Sequence, residues 1–121
     1  MKDNNLFEKA VKASARYCEL KGYEVVEQNW SPEGSEESIP LIAYEDDTLV
    51  FIDVKARNGL DGFVPESETD REAMEILAAK YLAQTDLESN VEIRFDIISL
   101  MVVREDRAML KHHINAFSVA A

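Results

Sequence analysis

The stretch Ile39–Arg57, "IPLIAYEDDTLVFIDVKAR", holds two apolar runs separated by three acids. Ile39–Tyr44 and Thr48–Val54 each have the length and the β-branched and aromatic content of a strand. Glu45, Asp46 and Asp47 between them read as a turn, so the stretch predicts a β-hairpin. The run "TLVFIDV" has no alternating polar face. Such a strand is buried on both sides and belongs in the middle of a sheet. Asp53 and Lys55 close it, two residues apart. The period of two puts them on one face, where an acid and an amine can pair as the strand leaves the core or serve as part of a site. Pro40 has no N–H for a sheet ladder, so it predicts a strand end, an edge or a bulge at the start of the hairpin.

Elements on either side can be read by the same logic. From Leu6 to Lys21 the apolar residues recur at spacings of three and four, which predicts an amphipathic helix. Asn4 or Asn5 can cap its start and Gly22 can end it. "YEVVEQNW" (Tyr23–Trp30) predicts a strand, and "SPEGSEES" (Ser31–Ser38) a turn-rich loop. "NGLDGFVPESETD" (Asn58–Asp70) predicts a second loop that ends in helix-capping residues. Arg71–Gln84 predicts a helix with a stripe of Ala73, Met74, Leu77, Ala78, Tyr81 and Leu82. "VEIRFDIISLMVV" (Val91–Val103) is a long strand, "REDRA" a turn, and "MLKHHINAF" (Met109–Phe117) a last strand. The order α-β-β-β-α-β-β predicts an α/β fold with a mixed sheet and helices packed against it.

The chain has 121 residues, enough for one domain over residues 1–121 that buries roughly two thirds of its unfolded surface. No apolar run reaches membrane-spanning length, and "MKDNNLFEKA" has no signal-peptide pattern. Cys18 is the only cysteine. It forms no internal disulfide, which points to a reducing, cytoplasmic setting, and on its helix it reads as a small buried hydrophobe. The formal net charge is −11. Ser31–Glu72 alone carries twelve acids against three bases, a net of −9. That field repels polyanions, where a DNA binder usually presents the opposite sign.

Other residues invite chemistry and have plainer readings. His112 and His113 are adjacent on a strand, so they face opposite sides and cannot easily share a metal. Tyr23 and Trp30 read as core aromatics beside the first helix rather than as platforms for bases. The Glu45–Asp47 turn reads as solvated acid. There is no glycine-rich phosphate loop and no Ser-His-Asp set.

In this order, "YCELKGYEVVEQNW", "IPLIAYEDDTLVFIDVKAR", "AAKYLA" and "IRFDIISL" followed by "HHINAF" resemble the YraN-like family of bacterial proteins. The resemblance runs from about Val11 to Phe117. It implies a restriction-endonuclease-like fold, similar to that of archaeal Holliday junction resolvases. Such sites hold Mg²⁺ between two carboxylates and place a lysine beside the attacked phosphate. By that resemblance Asp53 falls on the second-strand acid, usually glutamate, and so is the candidate metal ligand. Lys55 falls on the lysine, and Arg57 on the basic residue after it, which would contact nucleic acid. The first-strand aspartate falls on Pro40, the glutamate of the same motif on Ser38, and the first-helix glutamate on Val11. Proline, serine and valine at those positions leave Asp53 as the one matched carboxylate of the metal-holding half. Glu36, two residues before Ser38, and Glu8, almost a turn before Val11, are the possible substitutes.

The resulting expectation is a nuclease-fold protein with a degenerate site, its catalysis lost or severely weakened, that keeps a binding role toward nucleic acid or a DNA-repair partner. One alternative is an active Mg²⁺-dependent endonuclease with migrated carboxylates, using Asp53, Lys55 and Glu36 or Glu8. Another is an acidic protein-interaction module that does not touch nucleic acid.

Overall fold

The computed structural model describes residues 2–87, 91–105 and 107–117. Helix α1 (Lys2–Leu20) is followed by strands β1 (Glu24–Trp30), β2 (Ile39–Glu45) and β3 (Thr48–Asn58). A single 3₁₀ turn (Glu66–Glu68) then leads to helix α2 (Arg71–Gln84), and strands β4 (Glu92–Arg104) and β5 (Arg107–Phe117) complete the sheet. The strands lie in the order β1-β2-β3-β4-β5. β3 and β4 run parallel, and the other neighbours are antiparallel. The connection from β3 to β4 contains α2, as a parallel crossover requires.

β3 is the central strand, as its apolar run predicted. Leu49, Val50, Phe51 and Ile52 are wholly buried because both faces are covered. Val50, Ile52 and Val54 pack toward α1 with Ala10, Val11, Ala15, Cys18, Leu41, Ile98 and Leu100. Leu49 and Phe51 pack toward α2 with Met74, Leu77, Ala78, Tyr81, Phe95 and Ile97. The alternation of the pleat thus divides one strand between two cores.

Several boundaries differ from the sequence reading. α1 begins at Lys2, so Asn4 and Asn5 lie inside it and do not cap it. Its other end is as expected. Gly22 adopts φ 96°, and the N–H groups of Gly22 and Tyr23 donate to the carbonyls of Glu19 and Cys18 at 3.0 and 2.9 Å. That 5→2 and 6→1 pair is the Schellman closure, which glycine permits. β2 extends through Glu45, leaving a two-residue turn whose Asp46 takes φ 52°. β3 runs on to Asn58, because β4 pairs with it over its whole length. Trp30 corrects the sequence reading. It packs edge-on against Tyr81 of α2, ring centroids 5.1 Å apart, and so lies beside the second helix rather than the first. Tyr23 does lie in the α1 core.

Candidate functional site

β3 carries Asp53, Lys55 and Arg57 at alternate positions, so all three project to the α2 side, past the apolar residues Leu49 and Phe51. Lys55 Nζ lies 3.3 Å from Asp53 Oδ2. The same oxygen accepts a hydrogen bond from the Thr69 hydroxyl at 2.7 Å, and Oδ1 accepts the Val54 N–H at 3.0 Å. Thr69 is held in place by the residue after it. Asp70 caps α2 by accepting the Ala73 N–H at 3.1 Å, which fixes the chain just before the helix. Arg57 turns back to donate to the Asp61 carbonyl at 3.4 Å.

The β2–β3 ladder runs from Glu45↔Thr48 to Leu41↔Ile52. One further step places Pro40 opposite Asp53. Pro40 is the second residue of β2, so it marks a strand end, one of the positions a missing N–H allows. The neighbouring position that could bring a second acid to Asp53 therefore carries no donor atom. Glu36 lies in the exposed loop before β2, and Glu8 on an exposed position of α1. Val11, where the helix glutamate would fall, is buried in the core. Among the described residues, no three His, Cys, Asp or Glu side chains gather as a metal-holding group. The structure unites Asp53 and Lys55 and leaves the two substitute glutamates out of any such group.

A second carboxylate lies on the opposite face, and sequence reasoning missed it. Asp96 on β4 has no exposed surface. Arg94 binds it in bidentate fashion, Nε to Oδ1 at 2.9 Å and Nη2 to Oδ2 at 3.0 Å. The Asn115 N–H adds a bond to Oδ1 at 2.9 Å, and His112 Nε2 one to Oδ2 at 2.8 Å. Arg94 also reaches Tyr23 Oη at 2.8 Å and the Glu45 carboxylate at 2.5 Å. His112 Nδ1 meets the Tyr17 hydroxyl at 3.0 Å. Burial alone would raise the Asp96 carboxyl, but the bonds from His112, Arg94 and Asn115 outweigh it and hold the group below its usual range. Burial pushes Tyr23 up to about 12, against the pull of Arg94. Burial and then the Asp96 charge push the Cys18 thiol up to about 12, which leaves it an unreactive part of the core. The available signal was the pair Arg94 and Asp96, two residues apart beside the apolar run of a long strand. It is the same spacing that singled out Asp53 and Lys55.

The adjacent histidines separate as the strand pleat requires. His112 is in the Asp96 network, while His113 Nδ1 lies 2.6 Å from Glu66 Oε2 on the α2 side.

A five-stranded mixed sheet between two helices, with an acid and a lysine on the α2 face of its central strand, is consistent with a restriction-endonuclease-like fold. Residues 11–100 match the uncharacterised protein family UPF0102, the YraN family, and the chain belongs to it. It is 34% identical over 105 residues to the UPF0102 protein of Beutenbergia cavernae, covering 84% of this chain and 86% of the other. The UPF0102 protein of Pelotomaculum thermopropionicum is 36% identical over 109 residues, covering 87% and 88%. That of Flavobacterium psychrophilum is 31% identical over 107, covering 86% of each. No described helix is long and apolar enough to cross a membrane.

Proposed function

We propose that this member of the YraN family is a nuclease-fold protein in which phosphodiester cleavage is lost or severely weakened, and that Asp53, paired with Lys55 on its own strand, now clasps β3 to the segment entering α2. One observation carries the reading. Both oxygens of Asp53 are already engaged, by Thr69, Lys55 and the Val54 N–H, and Pro40 stands across from it in place of a second acid. A hard divalent cation needs several oxygen ligands, and catalysis by such an ion depends on its being held in a fixed orientation. This donor set does not fit Mg²⁺. The charge distribution supports the same reading, since a net of −9 over Ser31–Glu72 opposes a polyanionic substrate.

The expected result is that purified protein with Mg²⁺ or Mn²⁺ cuts linear, single-stranded or branched DNA no faster than its Asp53→Ala variant. Loss of metal orientation and charge stabilisation together costs several kcal/mol of barrier, roughly three or more powers of ten in rate. Cleavage abolished by both Asp53→Ala and Glu36→Ala would instead establish a migrated, working site. Binding to duplex or branched DNA is expected to be weak at physiological salt. Tight binding that falls steeply with added salt would defeat that part of the reading.

A further inference from the structure

The segment between β3 and α2 crosses the α2 face of the sheet and is held by side chains from three strands. Arg57 of β3 reaches the Asp61 carbonyl, and Ser99 of β4 donates to the Val64 carbonyl at 3.4 Å. On β5, Lys111 Nζ lies 5.7 Å from the centre of the Phe63 ring, and His113 contacts Glu66. Between this segment and β5 is an open surface cleft of about 460 Å³ lined by Phe63, Val64, Pro65, Glu66, Ser67, Lys111 and His113.

The lining has two halves. Phe63, Val64 and Pro65 offer apolar surface. Lys111 and His113, two residues apart on β5, project nitrogen-bearing side chains to one face from backbone positions about 7 Å apart. Against His113 lies a carboxylate supplied by the chain itself, that of Glu66, whose Oε2 is 2.6 Å from His113 Nδ1. Glu66 is the first residue of the short 3₁₀ turn and its side chain is 42% exposed. A contact so open to water is weak, and a rotation of the side chain would release it.

From this we infer that the open Phe63–Lys111–His113 cleft is a binding site for a small organic oxyanion with an apolar body, and that Glu66 fills its anion position in the free protein. An incoming carboxylate or phosphate would take the Glu66 place at His113 and approach Lys111. Its apolar body would lie against Phe63 and Pro65. The site needs no metal and does not depend on whether Asp53 retains any chemistry.

Benzoate and phenyl phosphate serve as probes, which separate a singly charged carboxylate from a phosphate. Binding is followed by calorimetry and by the His113 imidazole resonances. Wild-type protein is expected to bind one of them weakly. Glu66→Gln removes the internal competitor and should bind it at least fivefold more tightly. Lys111→Met combined with His113→Gln should bind it at least tenfold more weakly, with unchanged circular dichroism. Equal affinity of Glu66→Gln and wild type, or binding by neither, would overturn the proposal. So would a loss of binding in Lys55→Met that Lys111→Met does not share, because that result moves the anion to Asp53 and Lys55.

Discussion

Asp53 and Asp96 are both strand aspartates beside a cationic residue at spacing two, on neighbouring parallel strands. Asp53 faces α2 in the middle of its strand. Its side chain keeps 13% of its surface exposed, and its lysine keeps 27%. Asp96 faces α1 and is sealed, with four hydrogen bonds from Arg94, His112 and Asn115. The difference between them is one of solvent. A half-open acid–amine pair can be broken and rehydrated at little cost. A sealed carboxylate cannot be rehydrated, so each donor around it has to be retained. The residues that the family resemblance marks as chemical therefore occupy the weaker of the two clusters, and the stronger one has the burial and completeness of a structural anchor.

Substitutions that treat the two acids alike should separate them by magnitude. The largest effect is expected from Asp96→Asn, which leaves Arg94 and its partners without their buried counter-charge. Loss of one partner from such a set costs about 3–5 kcal/mol, or about 10–20 °C in Tm by calorimetry. The pH dependence follows from the same group. The folded-state Asp96 carboxyl is held below its ordinary value of about 3.9. Its contribution is therefore full above about pH 4 and is lost as pH falls through the folded value. Denaturant melts between pH 2 and pH 6 should show a steep acid limb in wild type and a flatter one in Asp96→Asn. A difference below 1 kcal/mol between the two proteins would show that the network is dispensable.

Asp53→Ala should cost about 1 kcal/mol, because Lys55 and the Thr69 hydroxyl lose one partner near solvent. A loss as large as that of Asp96→Asn would erase the contrast drawn between the faces. The smallest change is expected at Ser14 on α1, also wholly buried, whose hydroxyl is the one buried side-chain polar atom among the described residues with no hydrogen-bond partner. Ser14→Ala removes an unsatisfied group without opening a sizeable cavity, and should raise stability by about 0.5–1 kcal/mol. A decrease would show that the hydroxyl has a partner that matters.

Much of this protein was legible in its sequence because the information was local. The hairpin, the central position of β3, α2 at Arg71–Gln84 and the opposite aims of His112 and His113 all follow from pattern and pleat. So does the joint facing of Asp53 and Lys55, which a period of two fixes before any packing is known. Tertiary structure alone decided which partners those groups meet. Thr69 reaches Asp53 across 16 positions, and Tyr17 meets His112 across 95. Arg94 closes on Glu45 and Tyr23 only because β2, β4 and the turn between α1 and β1 converge on one face. Whether an acid on a strand is a ligand, a clasp or an anchor depends on how many donors surround it and how much water remains, and those quantities are set by chain segments far away in sequence.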